Sequence, residues 1–226
     1  MMKKTIMAAA IVAAMSAAHA DNDFEFVENN VTLEHGPLAY TFRSYFREDY
    51  DHHEMKYAFG NGLVAGFRFA EDELGENGGI NGDPGYQING TSVDGLDKKV
   101  WEYRPWLEYT GLSWQVTDRW SFRARPRIEY RKFDVEDDVV EAKDDYVRFR
   151  VGAWTYYKLD DKFTSWASID LYNNVSETSF EQSRYQLGVD YKLNENISVG
   201  PYVETRLDDD WNARYTMLAT QLKVSF

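Results

Sequence analysis

The chain has 226 residues, no cysteine and a formal net charge of −13. Without cysteine it cannot form disulfides, which excludes the small disulfide-stapled scaffolds common among secreted proteins. After residue 20 no stretch approaches the length of apolar sequence that a transmembrane helix needs, and so acidic a chain is not expected to bind nucleic acid.

The first twenty residues have the pattern of a secretory signal peptide. Lys3 and Lys4 precede the apolar run 6–14, and Ala18-His19-Ala20 fits the small-residue cleavage pattern. We therefore expect residues 1–20 to be cleaved after export and residues 21–226 to form a single domain. Removal of the two lysines makes the net charge more negative by two.

The remaining composition is typical of a membrane β-barrel. Aromatic residues make up 16% of the chain, yet the mean hydropathy is −0.59. In such a barrel the polar lumen and loops dilute the apolar face that contacts lipid. On composition alone, a soluble periplasmic β-sandwich explains the chain equally well.

The periodicity of the chain favours the barrel. Alternating segments of about 12–17 residues follow Trp101, whereas strands of soluble proteins usually have about 5–6 residues. In chain order, strands are predicted at 38–48, 53–60, 63–71, 100–117, 119–132, 145–159, 162–175, 181–194, 196–208 and 212–226, with a possible shift of parity at Gly111.

The connections between these strands alternate between short and long. Tight turns are predicted at 60–62, 117–119, 159–162 and 194–196, and longer polar loops at 49–52, 72–99, 133–144, 174–180 and 208–211. Outer-membrane barrels have short periplasmic turns and long external loops. The sequence therefore predicts an all-β, transmembrane antiparallel up-and-down β-barrel in the outer membrane of a Gram-negative bacterium.

The number of strands is predicted as 10–12. The ten segments put both chain ends on the periplasmic side, as an even number requires. Residues 23–34, DFEFVENNVTLE, alternate weakly and offer an eleventh strand, which would need a twelfth somewhere in 73–99.

Arginine is concentrated on the lumen parity of the predicted strands. The stretch 120–131, WSFRARPRIEYR, alternates apolar residues with arginines and Glu129. Placing arginine on lipid near the midplane would cost roughly 2–4 kcal/mol per side chain, so these side chains are expected to face the lumen. The predicted pore-lining residues are Arg68, Arg104, Trp106, Arg123, Arg125, Arg127, Arg131, Arg148, Arg150, Arg184 and Arg206; Arg43 and Arg47 have the same parity.

Two interpretations of these arginines remain. They can form a track for anionic solutes, because guanidinium groups bind carboxylates in a bidentate manner. Alternatively they can pair with carboxylates and plug a narrow lumen; the candidate partners are Glu102, Glu108, Glu129 and Asp170. The track is favoured because stretch 120–131 has four lumen arginines and only one glutamate. Trp106, Trp154 and Tyr202 also fall on lumen parity, where they either stack on sugar rings or fill the interior.

No catalytic or metal site is expected. The histidines after residue 20 are His35, His52 and His53, and the last two are placed in a short external loop with no Ser-His-acid set around them. No loop has the spacing of a calcium-binding EF-hand, and no glycine-rich phosphate loop is present. The chain is therefore predicted to be neither an enzyme nor a cofactor-binding protein.

Several segments resemble monomeric porins of the OmpG/KdgM type. The resemblance is carried by VWEYRPWLEYTGLSWQVTDRWSFRARPRIEYRKF (100–133), YQLGVDYKLNENISVGPYVETRL (185–207) and FREDYDHHEMKYAFGNGLVAGFRF (46–69). It implies a monomeric outer-membrane channel of 12–14 strands that passes saccharides passively, acidic oligosaccharides in the KdgM branch. In that branch, arginines in the lumen guide the solute. The resemblance implies this role here for Arg104, Arg148, Arg150 and the arginines of 123–131. This chain is about one hairpin shorter than the KdgM type.

The last strand ends at Phe226, and a terminal aromatic in an alternating strand resembles the sorting signature read by the barrel-assembly machinery. The predicted function is a porin for acidic oligosaccharides or other small anions. The alternative is a closed structural or adhesive barrel that acts through its loops.

Overall fold

The computed structural model describes residues 26–45, 51–74, 98–135 and 145–226. Every regular element in these residues is a β-strand, as predicted. The strands are β1 (Phe26–His35), β2 (Leu38–Tyr45), β3 (Asp51–Ala58), β4 (Leu63–Leu74), β5 (Lys98–Tyr109), β6 (Leu112–Thr117), β7 (Trp120–Val135), β8 (Tyr146–Lys158), β9 (Phe163–Asn174), β10 (Ser179–Lys192), β11 (Ile197–Leu207) and β12 (Ala213–Ser225).

These strands form one closed barrel. β5 and β6 both pair with β7, which contacts β6 through residues 120–124 and β5 through residues 127–135. They are therefore two parts of one long strand, interrupted at Thr110 and Gly111. Outward parity shifts from Tyr109 to Leu112 at this interruption, which confirms the shift predicted at Gly111. Counting β5 and β6 together, the described residues form an eleven-stranded wall.

The barrel closes through a parallel pair, β1 with β12, whereas the other neighbours are antiparallel. The expectation that an even number of strands is required is therefore wrong. β1 runs in the same direction as β12, so the chain enters and leaves the barrel at opposite ends. The sequence signal of β1 is weak because Asn29, on its outer face, is polar; the Thr220 hydroxyl of β12 donates a hydrogen bond to its side chain at 2.9 Å.

The connections at one end of the barrel, which we call the short-turn end, have two to four residues. They are residues 36–37, 59–62, 118–119, 159–162 and 193–196. Gly60 and Gly62 have φ values of 78° and 87°, which glycine adopts without steric cost. The opposite, long-loop end has the connections 175–178 and 208–212. The predicted loops within 46–50, 75–97 and 136–144, and Arg47, lie outside the described residues.

The outer surface of the barrel is apolar. Alternate side chains point outward, as the period of two in a β-strand requires. Within the described residues, no helix is long and apolar enough to cross a membrane. Large hydrophobic side chains exposed on the strands include Leu33, Met55, Phe67, Leu107, Tyr109, Trp114, Ile128, Tyr130, Phe149, Val151 and Leu187.

Candidate functional site

The lumen carries the charged side chains that the parity of the strands assigns to it. On β5 the predicted inward residues are all buried, whereas Leu107 and Tyr109 on the other parity are 42% and 41% exposed. The same alternation on β7 buries Arg127, Glu129 and Arg131. The inward residues of β5 are Glu102, Arg104, Trp106 and Glu108.

Six of these side chains form a closed ring of alternating charge, which we call the ion-pair ring. Its members are Glu102, Arg131, Glu181, Arg148, Glu129 and Arg104. Glu102 accepts hydrogen bonds from Arg104 and from Arg131, each at 2.6 Å. Arg131 continues to Glu181 at 3.3 Å. Because Glu181 lies on β10 and Arg131 on β7, this contact spans the intervening strands β8 and β9.

The second half of the ring returns to β5. Glu181 lies 3.6 Å from Arg148, which donates to Glu129 at 2.6 Å. Glu129 in turn lies 3.9 Å from Arg104. Arg131 and Arg148 are 0% and 1% exposed, so the ring fills the lumen on the side of the long-loop end.

A second charged cluster extends from the ring toward β11. Asp170 on β9 is fully buried and accepts from Arg150 at 2.8 Å and from Arg184 at 2.6 Å. Arg184 also lies 3.6 Å from Glu204, to which Arg206 donates at 3.0 Å. The ion-pair ring and this cluster together form what we call the ion-pair layer.

The arginines of β7 find their partners on neighbouring strands. Arg127 donates to Glu108 of β5 at 2.8 Å, and Arg68 of β4 donates to Glu54 of β3 at 3.0 Å. β7 itself has few carboxylates, but the neighbouring strands supply partners, so these arginines are paired. Of the predicted pore-lining arginines, eight take part in close pairs: Arg68, Arg104, Arg127, Arg131, Arg148, Arg150, Arg184 and Arg206.

Burial of the lumen arginines on β7 increases along the strand. Arg123 is exposed, the side chain of Arg125 is 26% exposed, and those of Arg127 and Arg131 are 7% and 0% exposed. β7 starts at the short turn 118–119, so the lumen is open toward the short-turn end and filled beyond it.

A cavity of about 360 Å³ occupies this open half of the lumen. Nine basic side chains and four carboxylates among the described residues line it. Several of the nine also lie within ion-pair distance of carboxylates outside the lining, among them Arg43 near Glu28, and Arg150 and Arg184 near Asp170. Arg123, Arg125 and Trp106 of the predicted set are brought together here. The basic residues are Arg43, Lys56, Arg68, Arg123, Arg125, Arg127, Arg150, Arg184 and Lys223; the acidic ones are Glu34, Glu54, Glu108 and Asp190.

Indole rings of the lumen are covered by guanidinium groups. Arg125 lies 3.9 Å from the ring centroid of Trp154, and Arg127 lies 3.8 Å from that of Trp106. A Cβ atom added to Gly66 would collide with the indole of Trp106, so glycine makes room for the ring. These tryptophans therefore fill the interior and support the arginines.

Some lumen residues were missed or misplaced by the sequence analysis. Glu181 enters the lumen because the register of β10 shifts between Phe180 and Gln182. His52 and His53 were placed in a loop, but both lie on β3, where His52 is buried. Lys56 also faces the lumen from β3. Its position in the same alternating row as His52 and Glu54 is the only sequence pattern that could have predicted this.

Within the described residues, no group of three or more His, Cys, Asp or Glu side chains could hold a metal ion. The carboxylates of the ion-pair layer instead face arginines.

The chain is similar to solved structures of porins. No curated protein matches the chain. A solved structure of KdgM porin is similar over 84% of this chain and 83% of its own, with 14% identity and a TM-score of 0.40. KdgM porin in complex with disordered oligogalacturonate is similar over 84% and 85%, with 15% identity and a TM-score of 0.41. The anion-selective porin from Comamonas acidovorans is similar over 84% of this chain and 52% of its own, with 12% identity and a TM-score of 0.33.

KdgM porin, which the sequence resembles, is thus among the similar solved structures. The model of a protein family of unknown function, DUF2490, matches residues 76–217. Because that match covers more than half of the sequence, the chain belongs to the DUF2490 family.

Proposed function

We propose that the chain is an outer-membrane porin that passes small anionic solutes, acidic oligosaccharides among them. The observation that carries this proposal is the charge of the lumen cavity. Nine basic and four acidic side chains line it, in a chain whose net charge is −13. A lumen of this sign attracts anions at contact distance, whereas charges on loops in salt water are screened within about 10 Å.

The outer surface supports a location in the outer membrane. Exposed Phe67, Ile128 and Phe149 lie on different strands of the wall, which a soluble barrel would not leave in water as one continuous surface. Aromatic side chains follow the rim at the short-turn end, where an outer-membrane barrel has an aromatic girdle. These rim residues are Tyr57, Phe59, Tyr109, Trp114, Trp120, Tyr157 and Phe226.

The assembly of such a porin would use its C-terminus. Phe226 is 74% exposed at the end of the closing strand, and its backbone N–H donates to Glu34 at 2.9 Å. We propose that this residue is read by the barrel-assembly machinery and that the porin works as a monomer, without a cofactor and without catalysis.

A closed structural or adhesive barrel is the second candidate function, and the ion-pair layer favours it. Arg131, Arg148 and Asp170 have almost no exposed surface, so the layer would hinder a solute that crosses the whole lumen. In this case the loops at the long-loop end would perform the function.

Current recording in a planar bilayer separates the two candidates. The refolded mature protein is studied under a KCl gradient, and the porin is expected to give a reversal potential that indicates chloride preference. The variant Arg123→Gln/Arg125→Gln removes two lumen charges and is expected to weaken that preference. Arg119→Gln, in the turn 118–119, is the matched control and should leave it unchanged.

The alternatives give different results in this recording. Absence of current from protein that has inserted would favour the closed barrel. A preference for potassium would retain the channel but contradict the assignment of its charge selectivity to the cavity arginines.

A further inference from the structure

Within the described part of the chain, the lumen cavity has a floor and opens toward the short-turn end. The ion-pair layer closes it toward the long-loop end, where Glu181 of β10 contacts Arg131 of β7. Arg150 and Arg184 belong to that layer and also line the cavity. A molecule that enters from the short-turn end therefore meets fixed charges before it can cross the barrel.

Polar groups of the cavity wall have hydrogen-bonding capacity that the protein does not use. Trp106 is 5% exposed, and neither its Nε1–H nor the Nε–H of Arg125 has an acceptor among the described residues. Both side chains line the cavity. These two atoms have almost no exposed surface, so a ligand in the cavity does not reach them. The side chain of Arg125 as a whole is 26% exposed, however, and its exposed part can donate to acceptor oxygens of a ligand.

The charges of the cavity wall are also only partly compensated. Arg125 lies 3.7 Å from the nearest carboxylate, that of Glu108, which is bound more closely by Arg127 at 2.7 Å. Arg123 has no carboxylate within ion-pair distance in the described residues, and its guanidinium lies 5.1 Å from the ring centroid of Tyr156. Arg123 and Arg125 therefore present incompletely compensated positive charge near the entrance.

We infer that this cavity is a one-sided binding site for a small oxyanion with two or more negative charges, such as a di- or tricarboxylate. This inference rests on the anion preference of the proposed porin and deepens that function. It does not require that the ligand passes through the barrel. A volume of about 360 Å³ is near the lower limit of ligand pockets and restricts the site to small molecules. The exposed part of Arg125 supplies hydrogen bonds and charge, and Arg123 supplies charge at the entrance.

Equilibrium binding tests the inference without reference to conduction. Isothermal titration calorimetry of the refolded mature protein in detergent micelles compares citrate, succinate and acetate at constant ionic strength. Affinity is expected to rise with ligand charge, with citrate bound about tenfold or more tightly than acetate. Glucose, which has no charge, is expected not to bind.

Variants assign the binding to the cavity. Arg125→Gln should weaken citrate binding about tenfold, and Arg123→Gln, at the entrance, should weaken it by a smaller factor. Arg119→Gln removes the same charge from a turn at the same end of the barrel and should change the affinity less than about twofold. Faster migration of unheated protein in electrophoresis verifies that each variant has folded.

Three results would overturn the inference. These are absence of citrate binding to folded protein, equal affinity for citrate and acetate, or equal loss of affinity in Arg125→Gln and Arg119→Gln. The porin proposal fails in a different way, since absence of current from inserted protein leaves citrate binding intact. Binding without current would therefore retain the site and reject the channel.

Discussion

The substitution Asp170→Asn is expected to cause a large loss of stability. Asp170 is fully buried and accepts hydrogen bonds from two arginines, Arg150 and Arg184, at 2.8 and 2.6 Å. Asparagine has nearly the same shape but no charge, so two buried guanidinium groups lose their shared counterion. Removal of one partner from a buried ion pair typically costs about 3–5 kcal/mol. Because the asparagine oxygen still accepts one hydrogen bond, we expect a value near the lower limit.

The assay is urea unfolding of the refolded mature protein in lipid vesicles, followed by tryptophan fluorescence. Asp161→Asn is the matched control, because Asp161 forms an ion pair with Lys158 at 2.9 Å on the exposed turn 159–162. Such surface pairs contribute little to stability, so the control should unfold like the wild type. The double variant Asp170→Asn/Arg150→Met removes one of the stranded charges and should regain part of the loss.

The stability of Asp170→Asn also tests whether the ion-pair layer closes the barrel. If Asp170→Asn loses no more stability than Asp161→Asn, the carboxylate does not hold the two arginines in a dry lumen. Water must then reach Asp170 itself, beyond the small exposed parts of Arg150 and Arg184 that line the cavity, and the ion-pair layer would not close the barrel.

Two further predictions concern the closure and the assembly of the barrel. In the variant Asn29→Cys/Thr220→Cys, oxidation should join the two ends of the chain, because these residues are opposite each other in the parallel pair of β1 and β12. A change of mobility in non-reducing electrophoresis detects the bond, and its absence would contradict the parallel closure. Deletion of Phe226 should lower the amount of folded protein in outer-membrane fractions of cells, while refolding in detergent is retained; equal amounts with and without Phe226 would remove it as a sorting signal.

The inward and outward faces could be predicted because they depend only on the period of two within each strand. Glu102, Arg104 and Trp106 are buried and alternate with less buried residues on β5, as the sequence pattern requires. Their parity needs no knowledge of neighbouring strands. The same holds for the turns at 118–119 and 159–162, whose short length and polar residues identify them.

The pairing of charges could not be predicted because it depends on which strands face each other across the lumen. Nothing near Arg131 in sequence indicates that Glu181, fifty residues later, will contact it. Glu181 reaches the lumen only through the register shift in β10, which reverses the parity that simple alternation assigns. The parallel closure by β1 was missed for a related reason, since it is a property of the whole ring of strands.

The two halves of the lumen differ because their side chains differ in size. Eleven strands give a barrel between the eight-stranded size, which side chains can fill, and the sixteen-stranded size of open channels. Arginine and glutamate fill the half next to the long-loop end. In the other half, part of the wall has small inward residues, among them Thr32 of β1 and Ser198 and Gly200 of β11; Thr32 and Ser198 line the cavity. The strands near the parallel closure therefore provide the space, while β7 on the opposite part of the wall provides Arg123 and Arg125. A ligand in this space would meet Arg123 and Arg125 on one side, and on the other the short side chains of Thr32 and Ser198 beside the ion pair of Glu34 and Lys223. The space of about 360 Å³ favours a small anion over an extended chain.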